Sequence, residues 1–199
     1  MIRVKLCGLV SVQDAAAASQ CRPDFAGMIL APGFRRTVTP ETAAAIRQTL
    51  DAAIPAVGVF VGAQPDEIAA YANRGIIQYV QLHGSEDAAY LRRLRQICTL
   101  PVIQAFRIGS ADDLEKAAQS EADYILLDSG TGTGERLDWT LLKDFPRPYL
   151  LAGGLTPENV AEAVRMLRPF GVDVSSGIET VGRKDAGKMR RFTEAARSI

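Results

Sequence analysis

The chain has 199 residues, with 23 Lys or Arg against 23 Asp or Glu, so its formal net charge is zero. That length can bury one substantial core and sits near the lower limit for a closed eight-stranded α/β barrel, so residues 1–199 read as a single domain. The even charge balance points to neither a nucleic-acid nor a membrane partner, and any basic site must be local. Met1-Ile2-Arg3-Val4-Lys5-Leu6 enters a strand-like run without the pattern of a signal peptide, and no apolar run is long enough to span a bilayer. Three widely spaced cysteines, Cys7, Cys21 and Cys98, fit no disulfide framework. They suit a reducing, cytoplasmic setting in which one thiol can be reactive.

Apolar, β-branched runs alternate with Ala-rich segments of helical period from end to end, which is the α/β signature. Taken in order, strands are predicted at 2–6, 25–30, 56–61, 79–82, 102–106, 124–127, 149–152 and 172–174. Helices are predicted at 13–19, 40–52, 65–73, 85–96, 111–118, 157–167 and 186–196, with only one or two turns over 138–144. Thr39-Pro40-Glu41 and Thr156-Pro157-Glu158 read as helix starts, each with a Thr N-cap before Pro. A dinucleotide-binding sheet should carry G-x-G-x-x-G after its first strand, but Cys7-Gly8-Leu9 stands there. The glycine-rich stretches instead follow strands six, seven and eight, which suits the phosphate site of a single-domain (β/α)₈ TIM barrel.

In such a barrel the site forms at the carboxyl ends of the strands. The polar residues there are Lys5 and Cys7 on strand one, Gln81 and His83 on strand four, and Arg107 after strand five. Asp128 and Ser129 follow on strand six, Gly153 and Gly154 after strand seven, and Asp173, Ser175 and Ser176 on strand eight. Residues two apart on a strand share a face, which pairs Lys5 with Cys7 and Gln81 with His83. A single histidine cannot build a metal site of the usual kind.

Several motifs in order, Lys5-Leu6-Cys7-Gly8, Gly58-Val59-Phe60-Val61, Val80-Gln81-Leu82-His83-Gly84, Leu126-Leu127-Asp128-Ser129, Leu151-Ala152-Gly153-Gly154-Leu155 and Gly171-Val172-Asp173-Val174-Ser175-Ser176-Gly177, make the chain resemble the phosphoribosylanthranilate isomerase family of tryptophan biosynthesis. Asn159-Val160 and Gly182-Arg183-Lys184-Asp185 extend the match over essentially the whole length. The resemblance implies an Amadori rearrangement of N-(5'-phosphoribosyl)anthranilate, without metal or cofactor, by a monomer or homodimer. It implies Asp128 as the general acid that opens the furanose ring and Cys7 as the base that takes the C2' proton. A free thiol titrates near roughly 8.5, so Lys5 is expected to favour the Cys7 thiolate. Asp128 faces the reverse demand, a carboxyl kept protonated by burial or nearby anions.

Gly153-Gly154 and Ser176-Gly177 are expected to bring backbone N–H groups to the substrate phosphate, with Ile178-Glu179 starting a short helix. Gly130-Thr131-Gly132-Thr133-Gly134 reads as a loop closing over the site, and it lacks the Lys-Ser/Thr ending of a nucleotide-binding P-loop. Arg36 resembles the family arginine that faces the anthranilate carboxylate, with Arg35 as the alternative. Phe34 and Val10 depart from hydroxyl residues common in the family. His83 either touches substrate or packs and hydrogen bonds locally. Asp173 reads as a structural partner, and Cys21 and Cys98 as small apolar fillers at helix ends. Related phosphosugar barrels that use two aspartates, metal-dependent epimerases and a non-catalytic phosphosugar-binding barrel are the competing readings. Cys7 at the end of strand one argues against the first, the single histidine against the second, and Cys7 together with Asp128 against the third.

Overall fold

Short runs of Val, Ile, Leu and aromatic residues become eight parallel strands, and in the computed structural model, which describes residues 1–128 and 139–199, they close on themselves. The strands are β1 (Arg3–Leu6), β2 (Phe25–Ile29), β3 (Ala56–Phe60), β4 (Tyr79–Leu82), β5 (Val102–Arg107), β6 (Tyr124–Asp128), β7 (Tyr149–Ala152) and β8 (Gly171–Val174). They pair in chain order, and β8 returns to β1 with Lys5 opposite Asp173. Helices α1 (Val12–Cys21), α2 (Pro40–Thr49), α3 (Pro65–Asn73), α4 (Ala88–Ile97), α5 (Ala111–Ala118), α6 (Val160–Leu167) and α7 (Ala186–Arg197) lie along the chain between or after the strands. After β6 a single 3₁₀ turn, Trp139–Leu142, stands where the weak apolar stretch predicts one or two turns.

Two helices start three residues later than their sequence signals indicate. Asp87 caps α4 by accepting from the Tyr90 N–H, while Glu86 is drawn aside to accept from Gly62 and Gly84 N–H groups at 2.8 and 2.9 Å. Before α6, Asn159 accepts from Thr156 N–H at 2.8 Å and donates to Gly154 O at 2.9 Å, closing a turn ahead of the helix, while Thr156 Oγ1 accepts from Glu158 N–H at 3.2 Å in the manner of the expected cap. Asn competes for backbone groups in this way because its amide offers both donor and acceptor.

Inside the ring, alternate strands contribute to each layer of side chains. Phe25, Tyr79, Tyr124 and Phe170 form a chain of ring contacts, 5.1 to 5.9 Å between centroids, at the amino end of the barrel. Apolar Val57, Ile103 and Leu150 pack against them. Toward the carboxyl end the interior turns polar, with Lys5, Gln81 and Asp173 buried. A separate, larger apolar cluster fills the space between strands and helices and includes Leu6, Met28, Phe60, Leu82, Leu91 and Phe192. No helix among the described residues is long and apolar enough to cross a membrane.

Past β8 the chain makes a 3₁₀ turn, Ser176–Ile178, and then a hairpin of β9 (Glu179–Thr180) and β10 (Arg183–Lys184). The expected helix start at Ile178-Glu179 is corrected here: the helical turn ends at Ile178 and Glu179 is already extended. Val181 and Gly182 are the two linking residues, with φ of 48° and 74°, the left-handed pair that a two-residue hairpin demands. Val is a poor choice for such a φ, and its side chain is fully exposed, so nothing in packing offsets the strain. Val181→Asn is therefore expected to raise unfolding free energy by about 1 kcal/mol. Urea denaturation checks this, and an unchanged or lower midpoint would contradict the strain.

Candidate active site

At the end of β1, Cys7 is buried and Lys5 has no exposed surface at all. Lys5 Nζ donates to Asp173 Oδ1 at 2.7 Å. Burial alone would drive the Lys5 ammonium toward neutrality, but Asp173 and the neighbouring Cys7 outweigh it and hold its pKa at about 12. For Cys7 the balance runs the other way. Burial pushes the thiol up, Lys5 and Lys184 pull it down, Asp173 pushes it up, and the net displacement is upward. Lys5 thus favours the thiolate as the sequence leads one to expect, more than Asp173 opposes it, but burial outweighs both. Gly27 on β2 completes the arrangement: a Cβ there would lie 2.7 Å from Cys7 Sγ and 3.1 Å from Lys5 Nζ. Only glycine leaves both groups room.

On the facing side of the ring, His83 from β4 reaches Asp128 from β6, with 3.4 Å between Nε2 and Oδ2. Gln81, buried one layer below, places its amide nitrogen 3.1 Å from His83 Nδ1. An amide N–H donated to Nδ1 selects the imidazole tautomer that carries its proton on Nε2, toward Asp128. Gln81 Oε1 is buried with no partner among the described residues. His83 is therefore not an isolated packing residue, and among the described residues no three His, Cys, Asp or Glu side chains gather as a group that could hold a metal ion. Arg107 pairs in register with Asp128 and is exposed at the rim.

After β7, Gly153 and Gly154 adopt φ of 94° and 64°. Gly177 lies so close to the same loop that a Cβ would sit 1.9 Å from Leu155 O. The loops after β7 and β8 thus meet backbone to backbone. Ser176 and Gly177 open the 3₁₀ turn, and the first N–H groups of such a turn have no partner within it. Ser129 and the loop Gly130-Thr131-Gly132-Thr133-Gly134 lie outside the described residues.

The loop between β2 and α2 brings up both arginines. Arg36 donates Nε to Glu179 Oε1 at 2.5 Å and Nη2 to Oε2 at 3.1 Å. Arg35 donates to Gly182 O at 2.7 Å and to Glu179 Oε2 at 2.6 Å. Arg36 is 21% exposed against 56% for Arg35, and its Nη1 makes no hydrogen bond among the described residues. Of the two it is the inner one with an edge to offer. Lys184 adds a third cation, 3.2 Å from Glu179 Oε1.

Glu179 is the member of this group that sequence reasoning misses. Its partners Arg35 and Arg36 lie more than 140 residues away along the chain. The available signal is local: Glu179 and Lys184 face each other across a two-residue turn. Burial would raise its carboxyl, but bonds from Arg36 and Arg35 and the charge of Lys184 bring it down to about 2. A carboxylate so depressed contributes stability above its unfolded pKa, near roughly 4.3, and loses it as pH falls toward 2. Glu179→Gln has no such contribution to lose. The gap in unfolding free energy between wild type and this variant should therefore be widest above about pH 4.3 and narrow as acid is added. Urea titrations across that range test it, and a constant gap would refute the assignment.

The chain matches the family model described as N-(5'-phosphoribosyl)anthranilate (PRA) isomerase over residues 4–195. It is 43% identical to the N-(5'-phosphoribosyl)anthranilate isomerase of Lacticaseibacillus casei, covering 99% of this chain and 96% of that one. The crystal structure of phosphoribosyl anthranilate isomerase from Thermotoga maritima superposes with a TM-score of 0.92 at 36% identity, covering all of both chains. A further structure of the enzyme, in complex with reduced 1-(o-carboxyphenylamino)-1-deoxyribulose 5-phosphate, superposes with a TM-score of 0.89 at 35% identity, again over the full length of both. With a closed barrel, a buried thiol on β1, a carboxyl on β6 and this agreement along its length, the chain belongs to the N-(5'-phosphoribosyl)anthranilate isomerase family.

Proposed function

We propose that the chain isomerises N-(5'-phosphoribosyl)anthranilate to 1-(2-carboxyphenylamino)-1-deoxyribulose 5-phosphate, with Cys7 and Asp128 as the two proton-transfer groups. The observation that carries this reading is their separation: β1 and β6 lie three strands apart around the ring, so a bound sugar can meet a donor on one side and a base on the other. In the first step the Asp128 carboxyl gives its proton to the furanose ring oxygen, the C1'–O bond breaks, and the anilino nitrogen supplies the electron pair that makes a Schiff base. In the second, the Cys7 thiolate takes the C2' proton, and the electrons move through C1' to nitrogen to give an enolamine. Tautomerisation places a proton on C1' and leaves a ketone at C2'. The His83 Nε2–H, aimed by Gln81, stabilises the Asp128 carboxylate left after the first transfer.

The two ends of the substrate take different grips. Arg36, braced by Glu179 and with Nη1 making no hydrogen bond among the described residues, faces the anthranilate carboxylate. The phosphate goes to the backbone at Gly153, Gly154, Ser176 and Gly177. All of these groups come from one chain, so the site is compatible with a monomer or a homodimer. The residues as a set need no metal or cofactor for these steps, and a reducing compartment such as the cytoplasm would keep Cys7 a thiol.

Cys7→Ser and Asp128→Asn are each expected to lower kcat by about 10²- to 10⁴-fold in a fluorescence assay with freshly prepared phosphoribosylanthranilate. Full activity in either variant would overturn the role given to that residue, and a wild type that binds phosphosugar without turnover would favour a binding barrel. Gly177→Ala must push Leu155 away, so it should raise KM at least about tenfold with kcat much less affected. An unaltered KM would move the phosphate elsewhere.

A further inference from the structure

Beside Cys7 there are two lysines, and only one is accounted for by sequence position. Lys5 is tied to Asp173 at 2.7 Å, so part of its help to the thiolate is offset, although it also bonds the thiol and favours the thiolate more than Asp173 opposes it. Lys184 comes from a different element, β10, and reaches the same place. A Cβ on Gly8, the residue after Cys7, would meet Arg36 Cδ at 2.7 Å, Ser175 Oγ at 2.8 Å and Lys184 Nζ at 3.4 Å. The ammonium is thus packed over the backbone of the base. Its side chain is 2% exposed, so water screens its field little.

Lys184 is also held in place. Nζ donates to Ser175 O at 2.8 Å, lies 3.5 Å from Ser175 Oγ, and pairs with Glu179 Oε1 at 3.2 Å. With its three hydrogens so directed it is a fixed charge, not a proton carrier. Nor is that charge cancelled by Glu179, because Arg35 and Arg36 share the same carboxylate. Three cations on one anion leave a positive excess at this corner of the barrel mouth.

We propose that Lys184 is a positioning residue for the base: anchored by Ser175 and Glu179 beside Gly8, it supplies a second positive charge, beyond that of Lys5, that favours the Cys7 thiolate. This rests on the reading of Cys7 as the base. The charged groups around the thiol are Lys5 on its own strand, Asp173 on β8 and Lys184 on β10, while Glu179 and Arg36 act on it through Lys184. From β2 the neighbour is Gly27, which brings no charge.

The test is the pH dependence of Cys7 alkylation by iodoacetamide in the free enzyme, read on the Cys7 peptide by mass spectrometry so that Cys21 and Cys98 do not interfere. Lys184→Met should move the alkylation midpoint up by about one pH unit, and Lys184→Arg should restore it. At pH 7, kcat/KM of Lys184→Met should fall about tenfold, mainly through kcat. Glu179→Gln should move the midpoint down, because Lys184 then loses its counter-charge. Opposite shifts from two neighbours are not what loosened packing would give. An unchanged midpoint in Lys184→Met, or parallel shifts in both variants, overturns the proposal. Because alkylation needs no turnover, these results stand apart from the isomerase assay: a wild type with no isomerase activity would remove the functional reading and leave the coupling measured.

Discussion

The ion pair between Lys5 and Asp173 sits where the barrel closes, joining the first strand to the last in direct register. Breaking one partner of a buried pair costs about 3–5 kcal/mol, whereas replacing both by apolar groups is often neutral. Stability alone therefore does not call for it. What the pair does is set the surroundings of Cys7. It fills the layer beneath the thiol with charge, it requires Gly27 on the adjacent strand, and it keeps Lys5 charged where that lysine also bonds the sulfur.

A second set of charges answers the first. Glu179 draws Arg35, Arg36 and Lys184 together, and Lys188 Nζ donates to its backbone carbonyl at 2.6 Å. One carboxylate thus orients Arg36, proposed to face the substrate carboxylate, and Lys184, which lies beside Gly8. The hairpin that presents Glu179 opposite Lys184 turns through a strained Val181, a local cost accepted where geometry matters. On the other side of the ring Gln81, His83 and Asp128 form a chain of their own, also built by side chains from alternate strands.

Much of this was legible in the sequence, and the parts that were not share a cause. Strands read well because apolar runs such as Ala56–Phe60 are buried on both faces and bounded by turn residues. Cys7, Asp128 and His83 could be found by position at strand ends. Helix starts failed at Glu86 and Asn159, where a side chain bonds to backbone in a way no propensity encodes. Cys98 is buried as expected, but Cys21 is only half-buried, its thiol facing Ala17 O. Glu179 escaped because its meaning lies in partners from the far end of the chain. Gly27 looked like any glycine in a strand until the thiol and ammonium opposite it were in place.

The bonds from Arg35 and Arg36 to the hairpin after β8 have a further consequence. The loop after β2 and the hairpin after β8 are the neighbours of β1 on either side, so their joined side chains form an arch across the end of the strand that carries Cys7. Arg36 and Lys184 lie against Gly8, the residue after Cys7, so such an arch would leave the sulfur its approach from the interior of the ring. A base approachable from a single direction can take a proton from only one face of a substrate fixed at both ends. Facial selectivity would then be a property of the arch and not of any one residue that reads the sugar's stereochemistry.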